Sequence, residues 1–156
     1  MSGAPQGLTH SYLGGKLRVM SEKILVVAAV IVDDLENPTK MLAARRKQPA
    51  AIAGRWEFPG GKAEVGESDQ EALHRELREE LGVQADLGAQ VVSAQYTDWP
   101  ITERHIMRLW FAQITSGDPQ PLIEHDALQW ISPSEFSSLN WLDGDVAIVE
   151  HLRNYF

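Results

Sequence analysis

Three carboxylates near the middle of the chain are the residues best placed for chemistry. Glu79 and Glu80 follow Glu76 by three and four residues, so all three lie on one flank if the segment is helical. Carboxylates this close repel one another strongly unless a cation joins them. Their hard oxygen atoms suit Mg²⁺ or Mn²⁺. The alternative is a solvent-exposed acidic face with salt bridges to Arg75 and Arg78, because charge runs usually lie on solvated surfaces.

The element that must position these carboxylates is a helix with a signal at each end. Ser68 suits the N-cap position, and Glu71, three residues later, completes a capping box. Gly82 stands where a left-handed C-cap is wanted. An apolar face repeats every four residues, at Leu73, Leu77 and Leu81. The sequence therefore predicts a helix from about Asp69 to Leu81, with one face packed and another charged.

The loop and the helix together resemble the Nudix signature G-x5-E-x7-R-E-U-x-E-E-x-G-U, in which U is aliphatic. The specified positions are filled without a gap by Gly61, Glu67, Arg75, Glu76, Leu77, Glu79, Glu80, Gly82 and Val83. Nine positions at fixed spacing are far more specific than a lone glycine motif. The preceding segment W-E-F-P-G-G-K, residues 56–62, is similar to the form typical of MutT-like nucleoside triphosphate pyrophosphohydrolases. The resemblance covers roughly Ile24 to Leu152, which is most of the chain.

The resemblance implies a fold and a reaction. The fold is of the α/β (α+β) class, a Nudix α/β/α sandwich with a central mixed β-sheet. The reaction is Mg²⁺-dependent hydrolysis of a nucleoside triphosphate to a nucleoside monophosphate and pyrophosphate, with Mn²⁺ as an alternative ion. Divalent ions on Glu76, Glu79 and Glu80 would neutralise phosphate charge and acidify an attacking water. Glu76 is either the general base or a ligand, and Arg75 belongs to the same catalytic set.

The same comparison suggests residues outside the signature helix. A backbone carbonyl of the glycine pair is an expected metal ligand, with Gly60 ahead of Gly61. A loop carboxylate is expected to complete the metal site, and Glu124 is our candidate, although Gln129 stands where some members carry a glutamate. Alternatively, His125 and Glu124 form only a hydrogen bond within the loop. The expected substrate contacts are Arg46, Glu57, Lys62, Arg104 and Asp145.

Two features bear on the base. The E-H-x-A-L-x-W segment, residues 124–130, looks like the bacterial cytidine-nucleotide pyrophosphohydrolase subgroup of this family. Asp145 occupies the position at which MutT-like relatives read the base, and a carboxylate there would accept from the amino group of cytosine. We therefore expect CTP or dCTP first, with 8-oxo-dGTP or dGTP next. Asp143 is expected to cap a helix and interact with its dipole, and the same role is the alternative for Asp145.

Several other functions remain open at this stage. The chain is alternatively a Nudix hydrolase of ADP-ribose, a dinucleoside polyphosphate or an RNA cap. It is also compatible with a noncatalytic nucleotide-sensing domain, although such domains commonly lose the carboxylates that are all present here. A purely structural or interaction protein is the least favoured alternative, because the signature is complete.

The composition agrees with a small enzyme of one domain. The chain has 156 residues, of which 44% are hydrophobic and 23% charged, enough for one well-filled core. The absence of cysteine excludes disulfides and thiolate ligands. A net charge of −8 disfavours a nucleic-acid polymer as partner but not a small-molecule nucleotide. No apolar run reaches the length of a membrane span, so we expect a cytoplasmic protein, either a monomer or a homodimer.

The remaining segments divide into an arm and a domain. Residues 1–20 are rich in Gly and Ser and are expected to form a disordered arm, with the domain in residues 21–156. Within the domain, Ile24 to Val32 reads as a buried central strand, and Lys40 to Arg46 is expected to pair back against it. The later expected elements are strands at Ala89–Tyr96 and Arg104–Thr115 and helices at Ser134–Leu139 and Asp143–Tyr155. In the last helix, Val146, Ile148, Val149 and Leu152 are expected to face inward.

Overall fold

In the part of the chain that the structure describes, nine strands and two α-helices make up the fold. We describe a computed structural model of the chain, which covers residues 17–20 and 22–156. The strands are β1 Val19–Met20, β2 Lys23–Ile31, β3 Met41–Arg46, β4 Trp56–Glu57, β5 Gly60–Lys62, β6 Gln84–Gln90, β7 Trp99–Pro100, β8 His105–Ser116 and β9 His125–Ile131. The helices are α1 Asp69–Leu81 and α2 Val146–Leu152, with 3-10 helices at Ala50–Ile52, Pro133–Ser138, Asp143–Asp145 and Arg153–Tyr155.

A mixed sheet of six strands lies at the centre, built around β2. Strand β2 pairs in parallel with β8, from Ile24 opposite His105 to Ile31 opposite Ala112. It pairs antiparallel with β1 and β5, while β6 and β7 pair antiparallel with β8. The buried aliphatic strand and the mixed central sheet expected from the sequence are confirmed.

A second sheet of three antiparallel strands has the order β4-β3-β9. The expectation that β3 pairs back against β2 was therefore wrong, and only a single bridge joins Val32 to Met41. The reason is that β1 and β5 on one side and β8 on the other already pair with β2. The Asp33 carboxylate also accepts from the N–H groups of Thr39 and Lys40, at 2.9 and 3.2 Å, and so fixes the turn before β3.

The two faces of β2 pack against different helices, as a strand with a two-residue side-chain period requires. One face carries Leu25, Val27, Ala29 and Ile31, which join the leucines of α1 in a buried cluster. The other carries Ala28 and Val30, which join α2 and the side chains of Trp56 and Phe58. The apolar face predicted for α1 is confirmed, since its three leucines have no exposed surface. The layers are those of an α/β/α sandwich.

Three local expectations were wrong. The strand after α1 is Gln84–Gln90 rather than Ala89–Tyr96, because Ser93 folds the later segment into a turn. Its hydroxyl oxygen accepts from the backbone N–H groups of Gln95 and Tyr96, at 3.2 and 3.0 Å. The C-terminal helix is shorter than expected and is flanked by 3-10 turns. Its residues Ile148, Val149 and Leu152 are buried as expected, but Val146 is half exposed.

The described end of the expected arm is part of the central sheet. Val19 and Met20 pair with Ile24 and Lys23, and the Arg18 backbone N–H donates to the Ala63 carbonyl at 3.1 Å. The Arg18 guanidinium also pairs with Asp69, the first residue of α1. The ordered domain thus begins no later than residue 17, and the rest of the arm, residues 1–16, lies outside the described residues. Among the helices that the structure describes, none has the length and apolar character to span a bilayer.

Candidate active site

The signature helix begins and ends as its sequence predicts. The Ser68 hydroxyl oxygen accepts from the Glu71 N–H at 3.0 Å, and the Glu71 carboxylate accepts from the Ser68 N–H at 2.8 Å. Gly82 ends the helix in the left-handed conformation, with φ of 72°, and its N–H donates to the Arg78 carbonyl at 2.9 Å. Both ends are therefore fixed by local hydrogen bonds. The leucines packed against β2 set the rotation of the helix and hence the direction of its carboxylates.

Arg75 holds the signature together. Its Nη1 donates to Glu76 at 2.9 Å and to Glu79 at 3.2 Å, and its Nη2 donates to Glu67 at 2.7 Å and to the Lys62 carbonyl at 3.2 Å. The hydrogen bond with Glu67, followed by that with Glu76, raises the pKa of Arg75 further above its usual range. The salt bridges that the sequence suggested between this arginine and the acidic helix flank are thus present for Arg75. The helix flank is nevertheless not simply solvated, since the Glu76 side chain is only 13% exposed.

Glu80 is the most buried carboxyl group of the signature. It is 4% exposed, and its Oε2 atom has no hydrogen-bond partner in the part of the chain that the structure describes. Burial raises the pKa of Glu80 to about 7, the negative charge of Glu124 adds to the effect, and His125 opposes it. Burial also raises the pKa of Glu76, and the charges of Glu79 and Glu124 add to that rise. A cation would reduce the repulsion between these carboxylates and would provide a partner for the unpaired Glu80 oxygen.

The glycine pair before the helix is explained by protein packing. A Cβ atom on Gly60 would lie 2.1 Å from the Val27 carbonyl oxygen, because β5 pairs closely with β2. A Cβ atom on Gly61 would lie 2.3 Å from Glu76 Oε1. In the structure, Gly60 thus makes room for a neighbouring strand and Gly61 for a carboxylate of the site.

Four side chains from three segments form a second polar group, which we call the Arg46 chain: Arg46, Glu57, Glu124 and His125. Arg46 Nη1 lies 2.9 Å from Glu57 Oε2 and 3.0 Å from Glu124 Oε1. Burial alone would lower the pKa of Arg46, but Glu57 and Glu124 outweigh it and raise that pKa. His125 Nε2 lies 2.8 Å from the same Glu57 oxygen. The cross-strand register of β3, β4 and β9 brings these residues together.

This arrangement changes the interpretation of His125. The sequence suggested a hydrogen bond with Glu124, but the His125 ring contacts Glu57 and is completely buried. Glu124 instead contacts Arg46, and its charge influences Glu76 and Glu80. The only sequence signal for this contact is the Glu-His pair itself, which gives no direction for the ring. Gln129 is exposed on β9, opposite Ala43.

Lys62 and Arg104 lie at another edge of the site. Both side chains are exposed, Lys62 on β5 opposite Val26 and Arg104 just before β8. His105 is opposite Ile24, so it shares the sheet face of Val26 and Lys62, away from α1. Burial lowers the pKa of His105, and the positive charges of Lys62 and Arg104 lower it further. The two cations therefore lie near each other, at the end of the central sheet.

Asp145 stands at the N-cap position of α2, but its side chain does not cap the helix. It is 1% exposed, and it makes no side-chain capping hydrogen bond within the described chain. Its Oδ2 atom is buried and has no hydrogen-bond partner there either. Burial raises the pKa of Asp145 well above its usual value, and the charge of Glu57 adds to the rise. The expected capping by Asp143 is wrong as well, because Leu142 holds the N-cap position there and the Asp143 carboxylate pairs with Arg55 at 2.8 Å.

The donor set fits a hard divalent cation, although the side chains do not yet enclose one. Within residues 17–20 and 22–156, no three His, Asp or Glu side chains are grouped closely enough to hold an ion as they stand. Arg75 lies between Glu76 and Glu79, and Arg46 holds Glu124. The unpaired Glu80 oxygen and the mutual repulsion of these carboxyl groups still provide the oxygen ligands and the negative charge that such an ion requires.

Comparisons with known proteins agree with this geometry. The model of the NUDIX domain matches residues 23–152. The chain is 41% identical over 128 residues to a CTP pyrophosphohydrolase of Escherichia coli K12, covering 81% of this chain and 89% of that protein. It is 32% identical over 123 residues to an 8-oxo-dGTP diphosphatase of the same organism, covering 79% of this chain and 87% of that one.

A solved structure is similar to this chain over most of the fold. The solution structure of the E. coli ORF135 protein matches with a TM-score of 0.66 and 37% identity, over 85% of this chain and 90% of that one. The family resemblance read from the signature is thereby confirmed, and so are the fold class and the assignment as a hydrolase of anhydride bonds. The chain belongs to the Nudix family.

Proposed function

We propose that this protein is a Mg²⁺-dependent nucleoside triphosphate pyrophosphohydrolase, which releases a nucleoside monophosphate and pyrophosphate. The observation that carries the proposal is the buried, unpaired Glu80 oxygen, whose carboxyl group is surrounded by the charges of Glu76 and Glu124. The relatives named for pyrophosphohydrolase and diphosphatase activity support the same reaction class. Mn²⁺ is the expected substitute ion, because it shares the preference for oxygen ligands.

The proposed metal ligands are Glu76, Glu79, Glu80, Glu124 and the Gly60 carbonyl. A divalent cation at these oxygens would supply positive charge to the phosphates and acidify water. Arg75 fixes the Glu76 and Glu79 carboxylates, at 2.9 and 3.2 Å, so that few side-chain rotations separate them from a ligating position. Their negative charge alone would repel a triphosphate, so the cation is needed for substrate binding as well as for the chemical step.

The proposed phosphate contacts are Arg46, Lys62 and Arg104. Lys62 and Arg104 are exposed, which suits side chains that must reach a soluble anion. Arg46 is held by Glu57 and Glu124, so its guanidinium is already oriented before substrate arrives. If an ion draws Glu124 toward the signature carboxylates, Arg46 loses one anionic partner and gains freedom to contact phosphate. Arg75 is already engaged by Glu67, Glu76 and Glu79, and its role is to orient the carboxylates.

Asp145 is the proposed reader of the base. Its burial favours the neutral acid, whereas the sequence interpretation treated it as ionised. A neutral acid has one donor and one acceptor, and these match N3 and the amino group of cytosine. An ionised carboxylate has acceptors only and matches N1–H and the amino group of guanine. CTP or dCTP is therefore the first proposed substrate, and 8-oxo-dGTP or dGTP is the second.

A substrate panel tests this function directly. Purified protein with Mg²⁺ should release pyrophosphate from CTP or dCTP with the highest kcat/KM among the ribo- and deoxyribonucleoside triphosphates and 8-oxo-dGTP. ADP-ribose and a dinucleoside polyphosphate complete the panel, and phosphate release is measured in parallel. Tight nucleotide binding without turnover would point to a sensor domain. Preferred cleavage of ADP-ribose would move the protein to another branch of the family.

A further inference from the structure

The buried contact between His125 and Glu57 has no part in the function as proposed so far. The His125 side chain is completely buried, and its Nε2 lies 2.8 Å from Glu57 Oε2. Its Nδ1 is also buried and has no hydrogen-bond partner within the described residues. The backbone of His125 is fixed by β9, where it pairs with Arg46, and by a bond from its N–H to the Leu122 carbonyl at 3.2 Å. The ring therefore projects from a fixed base into the protein.

The hydrogen-bond geometry assigns the donor of this contact. Glu57 Oε2 also accepts from Arg46 Nη1, and a carboxylate oxygen accepts hydrogen bonds, so the hydrogen between the two side chains belongs to His125 Nε2. His125 is therefore a donor aimed at Glu57.

One oxygen atom, Glu57 Oε2, links His125 to Arg46, which is a proposed phosphate contact. Glu57 Oε2 accepts from His125 Nε2 and from Arg46 Nη1, at 2.8 and 2.9 Å. The Glu57 side chain is 16% exposed and that of Arg46 is 13% exposed, so both lie between the buried ring and the surface of the site. Without the His125 donor, the Glu57 carboxylate keeps its contact with Arg46 but loses the bond that ties it to the buried ring. One of the three supports of the Arg46 guanidinium is then no longer fixed, while Glu124 and the Gln48 carbonyl remain.

We propose that His125 is a positioning residue, whose Nε2–H fixes the Glu57 carboxylate and, through it, the orientation of Arg46 toward substrate phosphate. The proposal deepens the proposed function and rests on it. His125 touches neither substrate nor reacting atoms, so its effect is on substrate binding and not on the chemical step. The test must separate this effect from general damage to the core.

A matched pair of amides provides that separation. In His125→Gln the amide nitrogen is four bonds from Cα, as Nε2 is in histidine, so it can donate to Glu57. In His125→Asn the nitrogen is one bond closer and falls short. We expect the Gln variant to keep KM for the nucleotide within about threefold of the wild type. The Asn variant should raise KM by about tenfold or more, with kcat changed much less. Equal KM values for the two amides, or a loss confined to kcat, would overturn the proposal.

A double-mutant cycle shows whether the effect passes through Glu57. In a Glu57→Ala background, exchanging Gln for Asn at position 125 should leave KM unchanged, because the acceptor at position 57 is gone. An undiminished KM effect in that background would contradict the proposal. The same cycle on the free energy of unfolding needs no turnover. If the wild type cleaves no nucleotide, the proposed function fails, while this second cycle still reports whether residues 57 and 125 interact.

Discussion

Gly61 determines where the carboxylate of Glu76 can lie. A Cβ atom at position 61 would be 2.3 Å from Glu76 Oε1 and 2.4 Å from its Cδ, well inside van der Waals contact. Gly61, the first glycine of the signature, thus contacts Glu76, the glutamate of its Arg-Glu pair, which lies fifteen residues later in the chain. The glycine requirement is steric and comes from the active-site carboxylate itself.

Gly61→Ala should therefore impair catalysis more than stability. The added methyl group displaces the end of a flexible side chain, so the fold adapts while the Glu76 carboxylate moves. A displacement of about 1 Å is sufficient for a loss of roughly a hundredfold in kcat. The control is Gly88→Ala, where the Cβ would meet the end of Leu35, 2.9 Å away. Turnover and melting curves of both variants check the prediction, which fails if they lose the same activity.

Replacing Glu79 or Glu80 by Gln should lower Mg²⁺-dependent turnover by orders of magnitude while the fold survives. Each change keeps the shape but removes a ligand charge, and Glu79 is half exposed, so its loss costs little packing. Glu36→Gln, an exposed change in the β2–β3 connection, serves as the control. Initial rates across a Mg²⁺ titration are the measurement. Near-normal turnover in both signature variants would refute the catalytic assignment.

The stability of the metal-free protein should depend on pH through Glu80. Its pKa in the folded state is about 7, above the ordinary value of 4.5. The stability linked to its neutral form is therefore fully present below pH 4.5 and is lost as pH rises through 7. Glu80→Gln lacks this loss and should gain, relative to the wild type, on the order of 3 kcal/mol between these limits. Denaturation in EDTA at several pH values checks this, and parallel profiles would exclude it.

The preference between cytosine and guanine nucleotides should change with pH. Since the pKa of Asp145 is raised, the residue is neutral at low pH and ionises as pH rises through the raised value. The ratio of kcat/KM for CTP to that for dGTP should then fall, by about tenfold for one exchanged hydrogen bond. Asp145→Asn keeps one donor and one acceptor, so its ratio should stay constant. A wild-type ratio that is equally constant would rule out this reading of the base.

Shortening the N-terminus should have two distinct effects. Removing residues 1–16 is expected to leave turnover and Tm nearly unchanged, because that segment has little apolar periodicity. Removing residues 1–20 also deletes β1 and the Arg18–Asp69 ion pair at the start of α1. The longer deletion should lower Tm by several degrees. Thermal melting of the two truncated proteins distinguishes them, and an equal Tm would mean that β1 contributes no stability.

The signature helix could be predicted almost completely from the sequence. Its capping box joins Ser68 to Glu71, and its C-cap joins Gly82 to Arg78, so each signal acts over a few residues. The four-residue repeat of leucines likewise fixed which face is buried. Interactions of this range depend on residue order alone, which is why the bounds Asp69 and Leu81 agree with the structure. Because the signature is specific, it also predicted the family and therefore the fold class.

The tertiary structure decided what the other residues contact. His125 and Glu57 are 68 positions apart, and only the register of β3 with β4 and β9 brings them to one oxygen. The capping alternative for Asp145 was excluded because its side chain makes no capping hydrogen bond and is instead buried by the packing of the 3-10 turn Asp143–Asp145. β3 lies in a second sheet because β1, β5 and β8 occupy both edges of β2. Such outcomes follow from the competition of distant segments for the same space and the same hydrogen bonds. The spacing of residues along the chain does not show which segment occupies that space.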